Sequence, residues 1–148
     1  MVGREFAVTV CVLVHRNGAW LLGVRASGVA YAPGRLGLVG GHVEADAPAA
    51  CVLEETGCRE VAEEVGLDLA DVPLTYLESE YLVTDGGERQ VTVTFVAPAP
   101  SGQEPRVADP AELSEVGWWT ADGAAADPRC PEWLPALLRR ADQALNGC

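Results

Sequence analysis

The chain has 148 residues, 49% hydrophobic and 22% charged, a balance that excludes a wholly disordered protein and suits one domain over residues 1–148. Ten basic residues against 22 acidic ones give a net charge of −12, which argues against nucleic acid or an anionic membrane surface as partner and requires a mediating cation for any anionic ligand. No apolar run approaches the ~20 residues of a bilayer span, and Met1 to Phe6, with Arg4 and Glu5, lacks a signal-peptide core. The five cysteines lack C-x-x-C spacing and mostly sit in apolar patterns, so they are expected to be reduced, buried thiols of a cytoplasmic protein.

Phe6 to Val14 (FAVTVCVLV) is β-branched and apolar, a predicted strand. Arg16-Asn17-Gly18 signals a hairpin turn, and Ala19 to Arg25 (AWLLGVR) the returning strand. Ala26 to Arg35 is expected to be a loop, and Leu36 to Val43 (LGLVGGHV) a short extended piece broken by glycines. In the stretch from Asp46 to Leu67, the residues Cys58, Val61, Ala62 and Val65 recur at the spacing of an apolar helix face, and Gly66 stands where helices end. Tyr76 to Thr84 and Gln90 to Ala97 are predicted strands joined at Asp85-Gly86-Gly87. A Pro- and Gly-containing loop from Pro98 to Pro110, a short strand from Val116 to Thr120 and an amphipathic helix from Glu132 to Leu145 close the chain. Strands, helix, strands, helix make an α/β (α+β) sandwich the expected fold class.

Glu60, Glu63 and Glu64 lie at i, i+3 and i+4 on one side of the predicted helix, on the face expected to oppose the apolar one. Clustered like charges weaken a helix by a few tenths of a kcal/mol per pair. Oxygen ligands in such a cluster suit a hard divalent cation, and Mg²⁺ commonly bridges carboxylates to substrate phosphates. The plain alternative is a solvated acidic face of an interaction domain.

Gly40-Gly41-His42-Val43-Glu44 precedes this helix, and Arg59-Glu60-x-x-Glu63-Glu64-x-Gly66-Leu67 forms its second half. Together they resemble the Nudix box, G-x5-E-x7-R-E-U-x-E-E-x-G-U with U apolar, and the last nine residues match at every specified position. The N-terminal strand pair and Trp118-Trp119 are also similar to the family. The pattern departs at one place: Gly41 and Arg59 are 18 residues apart where the signature has 14. The first box glutamate therefore falls on Ala47 or Cys51, neither acidic, with Asp46 the nearest acid and Glu44 a second stand-in. The four extra residues belong in Ala45 to Cys51, as an added helical turn capped by Asp46 or as a longer loop, with Val52 to Thr56 as the family's usual first turn.

The resemblance implies a Nudix α/β/α sandwich with a mixed central sheet and Mg²⁺-dependent hydrolysis, with Mn²⁺ as a substitute, of a nucleoside diphosphate-linked compound at its pyrophosphate. Gly41, Glu60, Glu63 and Glu64 would be the metal ligands. The catalytic set would be Glu63 as general base with Glu60 and Arg59, the arginine holding carboxylates in place. A base from outside the box would come from Glu78, Glu80, Asp85, Glu88, Glu104 or Glu112. Arg25, Arg35 and Tyr31 are the candidate substrate-binding residues. Trp20 and His42 are expected to be structural, and one of Trp118 and Trp119 core with the other a pocket wall. Leu82 replaces the proline of ADP-ribose-type members, and Tyr81 lies off the register of dinucleoside polyphosphate types. The partners implied are a nucleotide substrate and, by family habit, a second copy in a homodimer. A non-catalytic nucleotide-binding or regulatory domain of the same fold is the competing reading.

Overall fold

The computed structural model describes residues 5–147; the readings on Met1 to Arg4 and on Cys148 lie outside them. Strand β1 (Ala7–Arg16) and β2 (Ala19–Arg25) form the expected hairpin. Asn17 and Gly18 both take positive φ, 52° and 80°, the mirror-image turn whose twist matches the flanking strands. β3 (Leu36–Gly37) and β4 (Val39–His42) are the two halves of the glycine-broken segment, and the box helix α1 spans Val52–Val65. Beyond it lie β5 (Thr75–Val83), β6 (Arg89–Pro98), β7 (Leu113–Trp119), α2 (Ala121–Ala126) and α3 (Leu134–Asn146).

β1 organises a mixed sheet in the order β3-β2-β1-β6-β5, with β4 also on β1 and β7 on β2. It pairs parallel to β6 from Ala7↔Gln90 to His15↔Pro98. Its other flank is shared: Thr9 to Val12 pair antiparallel with β4, and His15 and Arg16 with β2. The sheet is thus forked along β1, and α1 lies across the β4 branch.

Alternation along β1 feeds two cores. Val12 and Val14 pack with Leu21, Val39, Val61 and Val65 beneath α1. Leu13 packs with Trp20, Leu22, Leu134, Leu137 and Leu138 beneath α2 and α3. Helices on both faces of a mixed sheet give the expected α/β/α sandwich.

Two expectations are corrected and one helix is added. Ala62 is exposed and Cys58 half-buried, while Glu64 is buried, because α1 is rotated to set Gly57, Val61 and Val65 on the sheet; a Cβ on Gly57 would come within 2.8 Å of Val12. Of the described cysteines only Cys11 is buried; Cys51 is exposed, and Cys58 and Cys130 are half-buried. α2 went unforeseen, although Thr120 caps it by accepting from the Gly123 amide. Trp118 and Trp119 alternate in direction as expected, each partly buried against a different core. Trp20 is buried and donates its indole N–H to Asp142 at 2.8 Å, consistent with the structural role expected.

Candidate functional site

The site begins with two glycines on β4. Gly40 pairs with Cys11, and a Cβ there would overlap the backbone carbonyl of Val10. A Cβ on Gly41 would overlap the Glu60 carboxylate, so β4 passes directly beneath that side chain. The segment from Ala45 to Cys51 is loop, and the extra residues add no helical turn. Cys51 turns the chain into α1 in the left-handed region, φ 55°, with no side-chain cap, while Glu54 and Glu55 in the first turn suit the helix dipole. At the other end Gly66, also left-handed, caps α1 through its amide on the Ala62 carbonyl. Arg106 and Ala108 donate their amides to Val65 and Glu64 at 3.0 and 2.9 Å, which fastens the following loop to the helix terminus.

Glu64 is 7% exposed and accepts the Gly40 amide on Oε2 at 3.1 Å. Burial pushes its carboxyl up to about 8, the charge of Glu60 adds to the rise, and the Gly40 hydrogen bond opposes it. Glu112 raises it further and Arg25 lowers it, so these two flank the same carboxyl from outside the box.

Arg59 is the local organiser. Its Nη2 donates to the His42 carbonyl at 3.2 Å and to Glu60 Oε1 at 3.3 Å, and its Nε lies 3.8 Å from Glu63 Oε1. Such half-exposed pairs contribute little stability each, but together they tie the loop after β4 to two of the three acids. His42 acts here through its backbone, and its side chain is exposed. Beside Arg59, residues Glu44 to Ala49 enclose with Val52, Glu55 and Thr56 an open hollow of ≈ 250 Å³.

A second wall comes from the end of β2. The β2–β7 register slips between Val24 and Arg25, and Ala26 donates to the Glu112 carbonyl at 2.9 Å, which brings Arg25 and Glu112 to one edge. Arg25 donates its Nε to the Tyr31 carbonyl at 2.6 Å, and its guanidinium lies 5.6 Å from the exposed Tyr31 ring. Arg35 joins through its backbone, accepting the Arg25 amide at 2.9 Å, while its side chain is exposed.

The structure thus gathers Arg59, Glu60, Glu63, Glu64 and Gly41 at one seam and sets Arg25 with Tyr31 beside it. It separates the loop acids weighed as an outside base. Glu78 is engaged by Arg140 and Glu104 by Arg16, whereas Glu112 is the one whose charge registers at Glu64. Sequence spacing carried no signal for that choice, because only the β2–β7 slip brings Glu112 near. Cys11, the register partner of Gly40, was not anticipated at the site; burial first, then Glu64 and Glu60, pushes its thiol up to about 12, leaving it an inert neutral group.

An all-oxygen donor set of three carboxylates beside a glycine backbone fits a hard divalent cation. The charge of Glu60 adds to the cost of ionising Glu64, which a cation beside them would relieve. Among the described residues, no three His, Cys, Asp or Glu side chains already converge on one point.

A family model described as NUDIX domain matches residues 4–140. The chain is 29% identical to a MutT NUDIX hydrolase from Burkholderia pseudomallei, covering 93% of this chain and 98% of that one with a TM-score of 0.75. It is similar in fold to a MutT protein from Methanosarcina mazei Go1, at 18% identity, 98% and 99% coverage and a TM-score of 0.77. The NUDIX domain of Shewanella oneidensis NrtR, complexed with ADP ribose, shares the fold at 24% identity, 97% and 90% coverage and a TM-score of 0.74. None of the curated proteins matches the chain.

Proposed function

This chain belongs to the NUDIX family, and from that premise we propose that residues 1–148 form one hydrolase domain cleaving nucleoside diphosphate-linked compounds at the pyrophosphate. The observation that carries the reading is Glu64, buried on the Gly40 amide and neighboured by Glu60, with both acids on the helix that matches the box. Glu60, Glu63, Glu64 and the Gly41 carbonyl would hold Mg²⁺, or Mn²⁺ in its place. The bound cation supplies charge neutralisation at the pyrophosphate and a more acidic water.

The chain's own residues have distinct tasks. Arg59 holds Glu60 and the β4 loop in register, a positioning role. Glu63, the most exposed of the three acids, receives the proton of the attacking water, and Glu112 is the outside carboxylate best placed to share that task. Arg25 offers a guanidinium to phosphate oxygens beside the seam, Tyr31 an open ring face for a base, and Arg35 a second cation at the loop mouth. The cation explains how a chain of net charge −12 accepts a polyanion. The free thiols of Cys11, Cys51, Cys58 and Cys130 agree with a cytoplasmic setting. No helix among the described residues is long and apolar enough to cross a membrane.

The test is phosphate release, with coupling phosphatase or pyrophosphatase, from nucleoside triphosphates, oxidised dGTP, ADP-ribose, sugar nucleotides, NADH and diadenosine polyphosphates, with Mg²⁺ or Mn²⁺ or with EDTA. The expected result is metal-dependent turnover of at least one class, falling ~10²–10⁴-fold in Glu63→Gln and lost in Glu64→Gln. Silence across the panel from folded protein overturns hydrolysis and leaves a nucleotide-binding domain.

A further inference from the structure

Arg59 stands between two sets of carboxylates. Ahead of it on α1 are the box acids, with Glu60 Oε1 at 3.3 Å from Nη2 and Glu63 Oε1 at 3.8 Å from Nε. Both contacts are longer than the about 2.7–2.9 Å of a firm charge-assisted hydrogen bond, and the arginine side chain is 37% exposed. Each is therefore weak and easily exchanged. Behind it is the open hollow, which Arg59 lines together with Glu44, Asp46 and Glu55. These three acids are exposed, and among the described residues none of them is in an ion pair.

Helix geometry gives the arginine a choice. Glu55 precedes it by four residues and Glu63 follows it by four, so both are its surface neighbours on α1, with Cβ atoms ~5–6 Å away. The order of acid before base, as in Glu55 and Arg59, is the more favourable of the two. The guanidinium nevertheless points forward, onto Glu60 and Glu63. Asp46, in the lengthened loop between β4 and α1, adds a second negative charge to the unused side. The box acids cannot serve two cations at once. With their oxygens on Mg²⁺ or Mn²⁺, a guanidinium at contact distance is repelled by the divalent charge, and the uncommitted acids of the hollow are the partners left within its sweep.

We infer that Arg59 is an exchangeable counter-ion, paired with Glu60 and Glu63 while they are metal-free and transferred to Glu55 and Asp46 when metal takes them. Glu55 and Asp46 are then positioning residues, which set metal affinity through Arg59 without ligating the metal. The inference rests on the hydrolase reading for one point, that Glu60 and Glu63 are metal ligands.

The test is Mn²⁺ binding by titration calorimetry to wild type, Arg59→Gln, the pair Glu55→Gln with Asp46→Asn, and all three changes combined, each shown to be folded by circular dichroism. Should Arg59→Gln unfold, Arg59→Met carries the same cycle. Arg59→Gln is expected to bind Mn²⁺ more tightly than wild type. Removing the two hollow acids is expected to weaken binding ~3-fold when Arg59 is present and by less than half that factor when it is already replaced. Loss of negative charge near the metal would by itself weaken binding equally in both backgrounds. Equal factors therefore overturn the inference and leave the hydrolase reading standing, as does an Arg59→Gln that binds Mn²⁺ no more tightly than wild type. A wild type that binds no Mn²⁺ overturns the inference and the metal ligands of the hydrolase reading together.

Discussion

The Gly40 amide and the Glu64 carboxylate meet at 3.1 Å across the seam between β4 and α1. One hydrogen bond thereby joins the strand that must be glycine to the helix that must be acidic. It is also the strongest compensation the buried carboxyl has, since no guanidinium bonds it directly and Arg25 acts on it only through its field.

A pH dependence follows for metal-free protein. The folded state holds the Glu64 proton up to about 8, whereas the unfolded chain releases it in the ordinary carboxylate range near 4.5. The folded state thus binds more protons within that window, and stability falls as pH rises through it, by on the order of a few kcal/mol at most. In EDTA the thermal midpoint should fall between pH 5 and pH 8, and Glu64→Gln should flatten that decline. An unchanged slope in Glu64→Gln would remove Glu64 as its cause.

The two glycines of β4 should fail differently. Gly40→Ala drives a methyl into the Val10 carbonyl, which is backbone and cannot yield without opening the β1–β4 ladder, so a loss of ~1–3 kcal/mol is expected. The nearest atoms to a methyl at Gly41→Ala all belong to the Glu60 side chain, which can swing away. It should cost less stability and proportionately more turnover. Denaturant midpoints measured beside turnover separate the two, and equal effects on both would contradict this geometry.

Asp142 on α3 accepts the buried indole N–H of Trp20 on β2 at 2.8 Å. Asp142→Ala leaves that donor without its partner and should destabilise the fold by ~1–3 kcal/mol. Trp20→Phe combined with Asp142→Ala should lose less than the two single changes added together, a coupling that a double-mutant cycle reads. Additive losses would show the bond to be idle.

Thiol labelling should sort the cysteines by environment. In a Cys148→Ser background, Cys51, exposed at the entrance to α1, should take maleimide first, and Cys11, buried and shifted to about 12, only on unfolding. Because Cys51 also bears a left-handed φ of 55°, Cys51→Gly should stabilise by ~1 kcal/mol. A Cys51→Gly variant less stable than wild type would show that the side chain makes a contact worth more than the strain.

Much of this was legible in the chain. Asn17-Gly18 marked the hairpin, and the β2 strand runs over the expected residues, because its turn chemistry and alternation are local. The Arg59 to Leu67 spacing marked the box helix and its cap at Gly66. What local pattern could not carry was how the helix is rotated against the sheet: the i, i+4 spacing of Glu60 and Glu64 puts them on one side of α1, but only the glycine backbone of β4 makes room for Glu64 to be buried. The same holds for Glu112, brought to the site by a slip in strand pairing, and for α2, a single alanine-rich turn or so whose position depends on packing against α3. The parallel partnership of β1 with β6 was likewise invisible, since parallel strands carry no turn between them.

That last pairing has a consequence for how the protein comes into being. β1 finds its full-length partner only when Arg89 to Pro98 have been made, some 80 residues later, and contacts so distant in the chain form slowly. On the ribosome, the hairpin and the glycine strand emerge early but lack the neighbour that flattens β1 into a sheet on which α1 can settle. Glu64 then waits, solvated and ordinary in its acidity, until β6 arrives. Its unusual proton affinity is a late product of biogenesis, and chains arrested before β6 would carry every box residue yet no site.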